Sequence, residues 1–170
     1  MKKKRRRKNL NKETISLTSI IEKEIKENSL RQSFPKKVLE YSSNISLKDF
    51  KNHEDFTHIP FVTVDGDESR DFDDAVWANF SENGSKVMVA IADVSFYVSK
   101  NDPLDIEAKK RGNSFYFPDR VIPMFPEKLS NNLCSLVPFK KRACLIVEIE
   151  LNTNGKIKET KVHRGFIVSQ

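Results

Sequence analysis

The sequence predicts an α+β fold with a mostly antiparallel β-sheet and flanking helices, on three observations. Two turn signals, Ser81-Glu82-Asn83-Gly84-Ser85 and Asn154-Gly155, separate apolar segments, and short turns of this kind join antiparallel strands. The run Val87-Met88-Val89-Ala90-Ile91-Ala92 is apolar throughout, as in a central strand buried on both faces. Asp102, Pro103, Asp105 and Gly112 together mark the start and stop of one helix.

Length and composition permit such a domain. The chain has 170 residues, with 38% hydrophobic and 32% charged side chains, polar-leaning but sufficient for a core. The net charge of +6 is misleading until it is located. Lys2 to Lys8 carry seven positive charges and no acid, and subtracting them leaves −1 for the remainder. No apolar run approaches a membrane span, and no signal-peptide pattern follows Met1. Cys134 and Cys144 lack a C-x-x-C spacing, so they are expected to be reduced thiols in a cytoplasmic protein.

Residues 1–12 read as a basic arm, disordered when free because like charges repel. Attraction to phosphate and simple solubilisation both remain open for it. Residues 13–56 read as a helical and irregular linker region. Within it, Thr14 to Asn28 predicts a helix with Ser16 or Ser19 as N-cap, Glu22 completing a capping box on Ser19, and Ile20, Ile21 and Ile25 as its stripe. Phe34-Pro35 opens a second short helix, with Val38, Leu39 and Tyr41 expected inward. Leu47 and Phe50 are the anchors expected in the irregular stretch that follows.

Ile59 to Val64 predicts the first strand and Asp73 to Phe80 the second. After Asp93 and the helix from Asp102, Asn113 to Phe117 reads as a short aromatic strand. Val121 to Pro126 is extended and proline-restricted. Glu127 to Leu136 reads as a helical turn carrying Leu129, Leu133 and Leu136. Ala143 to Leu151 alternates as a strand, and its hairpin partner includes Ile157 and Val162. Phe166 to Gln170 stop inside an apolar stretch, which raises the expectation of a truncated chain.

The chemistry concentrates between Asp65 and Asp74, where six acidic side chains fall with Arg70 as the only base. Apolar residues bracket the run, so strands would fix where the charges sit. Two carboxylates about 5 Å apart repel by roughly 3 kcal/mol at an effective dielectric of about 20. Several converging must protonate or hold a cation. Oxygen-only ligands suit Mg²⁺ or Mn²⁺ better than zinc, and paired divalent ions serve in-line attack on phosphodiesters. An EF-hand loop opening at Asp65 fails, because Arg70 stands where glycine is needed and Val76 where glutamate is needed. A nuclease strand bearing Asp-x-Glu fails too, for lack of that spacing. A solvated acidic turn is the plain alternative.

Four ordered blocks now resemble the catalytic (RNB) domain of the ribonuclease II and ribonuclease R family, most closely its ribonuclease R branch. They are Thr63 to Val76, Val89 to Val98, Arg111 to Met124 and Pro126 to Leu136. On this resemblance residues 57–170 correspond to the N-terminal portion of that domain. The resemblance implies a 3′→5′ exoribonuclease that hydrolyses single-stranded RNA ends to nucleoside 5′-monophosphates with Mg²⁺, or Mn²⁺, in the cytoplasm. It implies Asp65, Asp71, Asp73 and Asp74 as metal-site residues, Asp73 and Asp74 as catalytic, and Tyr116 stacking on the terminal base. Arg111 is a candidate phosphate contact in RNA binding, set against a helix-end arginine favoured by the macrodipole. Phe72 and Asp93 are expected to be structural. The family's flanking OB-like domains, and its downstream arginine and glutamate, do not occur in these residues. A non-catalytic RNA-binding remnant is therefore the alternative reading. No membrane or protein partner is expected.

Overall fold

A computed structural model describes residues 16–170. The basic arm lies outside the described residues, as do Thr14 and Ile15 of the first predicted helix. The fold is α+β, as expected. Helix α1 (Leu17–Glu27) begins at Ser16, whose Oγ accepts from the Ser19 amide at 3.1 Å, and ends at Asn28. Glu22 does not close a capping box; it pairs with Arg120 at 2.7 Å. Helix α2 (Lys36–Ser43) follows Pro35. Val38 and Ser42, one turn apart, are its buried residues, whereas Leu39 and Tyr41, expected inward, face solvent.

Seven strands follow in two sheets. The larger has the order β1-β7-β6-β3-β2, built from β1 (Glu54–Asp55), β2 (Asp74–Ser81), β3 (Gly84–Ala92), β6 (Lys141–Leu151) and β7 (Ile157–Val168). Every pairing is antiparallel except β1 with β7. The sheet thus takes in Glu54 and Asp55, ahead of the boundary drawn at residue 57. The smaller sheet pairs β4 (Phe115–Tyr116) with β5 (Val121–Ile122). Along the chain, a 3₁₀ turn (Val94–Phe96) and helix α3 (Pro103–Arg111) lie between β3 and β4. Asp102 caps α3 through the Asp105 amide at 2.8 Å, and Gly112 ends it at φ 76°, where a left-handed residue favours glycine.

Two sequence expectations give way here. Residues 59–64 do not form a strand. Phe61 is buried in the main core, Val62 makes a single bridge to Val76, and Val64 is 82% exposed. Strand β3 lies inside the sheet but is not buried on both faces: Met88 and Ala90 enter the core, while Ile91 is 43% exposed. Its unbroken apolar run reflects one buried face and one partly exposed face and not a double burial.

Three apolar clusters fix the frame. The first joins the inner sheet face (Ala75, Met88, Ala90, Cys144, Ile146) to Phe56, Phe61 and Leu136, with Phe72 packed against it. A second joins α2 and α3 to the 129–134 turn through Val38, Leu104, Leu129 and Cys134. The third seats α1 on the small sheet through Ile21, Ile25 and Ile122. Both cysteines are free and buried. No described helix is long and apolar enough to cross a membrane.

Candidate functional site

The acidic segment is a loop closed at its base and pinned at its middle. Val62 and Val76 exchange both backbone hydrogen bonds, at 3.0 and 2.8 Å, which closes residues 63–75. Ser135, fully buried, holds the middle: its Oγ accepts from the Phe72 amide at 3.0 Å and donates to the Arg70 carbonyl at 2.8 Å. The Leu136 amide returns a bond to the Phe72 carbonyl at 2.9 Å. Asp71 therefore stands between two anchored peptides. Asp73 is fixed by its carbonyl, which accepts from the Ala92 amide at 2.8 Å, and Asp74 opens β2 opposite Ile91.

Ser135 is placed by a turn of unusual pitch. Residues Leu129–Leu133 form one π-helical turn, with the Cys134 amide reaching the Leu129 carbonyl at 2.9 Å. Arg142, buried in β6, clamps the end of this turn by donating from Nε to the carbonyls of Asn132 and Ser135, both at 3.0 Å. Neither Ser135 nor Arg142 carried a functional signal in the sequence. Their partners lie 63 and 65 residues away for Ser135 and seven to ten away for Arg142.

Of the four predicted aspartates, Asp71, Asp74 and Asp65 all act on Asp73 through their charge. Its carboxyl is raised above the ordinary range, first by burial and then by the charges of Asp71, Asp74 and Asp65. Asp73 nonetheless retains an exposed surface. Asp71 and Asp73 line a cavity of about 300 Å³ with Tyr116, Ser114 and Met124. A second cavity of about 270 Å³, sharing Asp71 and Ser114, continues past Glu68 and Arg70.

Tyr116 reaches this site from the small sheet. The residue is 64% exposed, and its hydroxyl donates to Asp71 Oδ2 at 2.5 Å. That bond, then burial and the charges of Asp71 and Asp73, push the phenol up to about 12. Cys134 borders the same cavity, but burial, followed by the charges of Asp73 and Asp93, pushes its thiol up to about 12. It is an inert wall and not a nucleophile.

Arg111 stands elsewhere. Its side chain is 2% exposed and fully committed: Nε to Glu107 at 3.1 Å, Nη1 to the Arg31 and Pro123 carbonyls at 2.7 and 3.1 Å, and Nη2 to the Ser33 carbonyl at 2.7 Å. Its guanidinium also stacks on Phe34, 3.6 Å from the ring centroid. The expected phosphate contact is thus corrected to a buried clamp that ties residues 31–34 and 123 to the end of α3. Asp93, expected to be a strand-end carboxylate, is 3% exposed and paired with Arg164 at 3.0 Å, with the Ser95 hydroxyl at 2.5 Å on its other oxygen.

The donor set bears on a metal. Four carboxylates, with no thiolate or imidazole among them, are the hard oxygen ligands that Mg²⁺ and Mn²⁺ prefer. The Asp73 carboxyl is raised first by burial, and the charges of Asp71, Asp74 and Asp65 add a repulsion that a cation would relieve. The residues therefore fit such an ion in chemistry and charge. Among the described residues, no three His, Cys, Asp or Glu side chains converge into a ready metal cage. The aspartates are neighbours and not a closed coordination shell.

Comparison with known proteins adds a frame for this geometry. Residues 53–170 match the model of the RNB domain. The chain is 50% identical over 137 residues to Ribonuclease R of Buchnera aphidicola, covering 79% of this chain and 19% of the relative. Among solved structures, Mycoplasma genitalium RNase R in complex with ribose-methylated single-stranded RNA superposes with a TM-score of 0.85 at 36% identity, over 91% of this chain and 25% of that one. The same enzyme in complex with double-stranded RNA gives 0.86 at 36%, over 91% and 28%. The chain thus spans about a fifth to a quarter of the length of these relatives.

Proposed function

The chain belongs to the RNB domain family, and from that premise we propose that it supplies the acidic site of a 3′→5′ exoribonuclease releasing nucleoside 5′-monophosphates from single-stranded RNA ends. The observation that carries this is that Asp71 and Asp73 line one cavity with the exposed Tyr116, while the charges of Asp71, Asp74 and Asp65 all act on Asp73. Mg²⁺ or Mn²⁺ held by Asp65, Asp71, Asp73 and Asp74 would supply the positive charge for in-line displacement at phosphorus.

The chain's own residues account for the rest. The open Tyr116 face offers a stacking platform for the 3′-terminal base, and stacking tolerates any base because each has a π-face. Asp73, as one of the residues that would hold the ion, would also orient the attacking water. Ser135 and the Val62–Val76 bridge keep the acidic loop from relaxing under its own repulsion. The basic arm adds salt-sensitive attraction to the RNA backbone. Two buried free thiols suit a reducing, cytoplasmic compartment.

The test is decay of a 5′-labelled oligoribonucleotide with Mn²⁺. A one-nucleotide ladder with monophosphate product, reduced about a hundredfold or more in Asp73→Asn, supports the enzyme. Salt-sensitive binding with no product supports an RNA-binding remnant and removes the catalytic reading.

A further inference from the structure

Among the described residues, Asp71 is the one of the four aspartates whose side chain is tied to another element of the fold. Its backbone neighbours are pinned through Ser135, so the carboxylate retains only its own side-chain rotations. The Tyr116 hydroxyl engages one oxygen, Oδ2, of a side chain that lines the cavity. Meanwhile the Tyr116 ring is largely exposed on a strand of two residues paired only with β5. One side chain thus presents its face outward and its hydroxyl to the acidic loop.

We propose that Tyr116 is a positioning residue for Asp71, its hydroxyl fixing the carboxylate rotamer while its ring receives a terminal base, so that base seating and carboxylate orientation are mechanically linked. The ribonuclease reading enters only in naming the base as the ring's ligand; the Tyr116–Asp71 linkage stands on the contact itself. The physical reason is reach: reacting groups must be held to within about half an ångström, and partners that orient ligands from outside set this as much as the ligands do. A β4–β5 hairpin that shifts under a stacked base carries Oη with it, and Oη carries Asp71.

Tyr116→Phe separates the two roles, since it keeps the ring and deletes only the oxygen at an exposed position; Tyr116→Ala removes both. Three readouts are taken on the full chain. Three-bond couplings of labelled Asp71 are expected to report one χ1 rotamer in the native chain and averaging in both variants. Quenching of 2-aminopurine at the 3′ end of an oligoribonucleotide is expected to survive within about twofold in Tyr116→Phe and to vanish in Tyr116→Ala. Mn²⁺ affinity by calorimetry is expected to fall about tenfold in Tyr116→Phe. An unchanged Asp71 rotamer in Tyr116→Phe overturns the proposal, whatever the other two readouts show. Absence of Mn²⁺ uptake and of quenching in the native chain would instead sink the ribonuclease reading while the rotamer measurement still decides the linkage.

Discussion

Ser135→Ala is the sharpest test of how the acidic loop is held. The substitution deletes one oxygen and hardly changes volume, so no cavity cost arises. It removes two hydrogen bonds, from the Phe72 amide at 3.0 Å and to the Arg70 carbonyl at 2.8 Å. Each is worth about 1 kcal/mol net, and each leaves a partly buried backbone group without a partner, which brings the total to about 2–4 kcal/mol. Ser169→Ala is the matched control. Ser169 is equally buried, and its hydroxyl donates to the Leu136 carbonyl at 2.7 Å, one residue further along. It should cost about 1 kcal/mol and leave the site alone. Urea unfolding with an unchanged slope gives both stabilities, and Mn²⁺ calorimetry gives the state of the site. Ser135→Ala should also weaken Mn²⁺ by about tenfold, because Asp71 loses its anchored flanks. Equal destabilisation by the two alanines, with equal Mn²⁺ affinity, would show that Ser135 is ordinary core and that the loop is held by something else.

Three further outcomes follow from the frame. Arg111→Lys should destabilise by about 3 kcal/mol, since an ammonium cannot replace a fork serving one carboxylate and three carbonyls, yet leave the oligonucleotide affinity of the folded protein unchanged in a filter-binding assay. Glu107 is pushed up by burial, but the hydrogen bond and charge of Arg31, then those of Arg111, outweigh this and hold its folded pKa below the ordinary value. Its contribution is therefore present above the unfolded carboxyl pKa and lost as pH falls through the depressed folded one, so urea midpoints of Glu107→Gln should depend less on pH across that acidic window. Gly84 turns the β2–β3 hairpin at φ 130°, where an added Cβ would lie 2.0 Å from the Leu151 carbonyl oxygen, and Gly84→Ala should cost more than about 3 kcal/mol in the same unfolding assay.

What the sequence disclosed and what it concealed divide by distance along the chain. Helix α3 was legible because its signals are all local: Asp102 caps an amide three residues on, and Gly112 closes the last turn. The Asn154-Gly155 hairpin was legible for the same reason, with the Gly155 amide bonded to the Asn152 carbonyl at 2.9 Å. The acidic run declared its chemistry because six like charges in ten residues need a reason. By contrast, Phe61 and Val64 carry the composition of a strand, but the chain there is claimed by the core and by the end of β7, with the Gln170 amide on the Phe61 carbonyl at 2.9 Å. Arg111 looked like a helix-end cation because only its own helix was in view; the carbonyls it serves on Arg31 and Ser33 are 80 and 78 residues away.

This division has a consequence for the site itself. Carboxylates that act on a substrate must be exposed and close together, so clustering in sequence is an economical way to deliver them, and it can be read. Groups that hold those carboxylates against their mutual repulsion must be buried and must come from elsewhere, because a loop cannot brace itself. Ser135 and Arg142 meet that requirement from two different elements, and the Tyr116 hydroxyl adds an exposed brace from a third. A chain with the same Asp65–Asp74 segment but alanine at 135 and phenylalanine at 116 would read almost identically as a sequence. Its Asp71 should nonetheless lose its fixed orientation, and the two substitutions, measured as a double-mutant cycle on the Asp71 rotamer, should be non-additive because both act on one carboxylate.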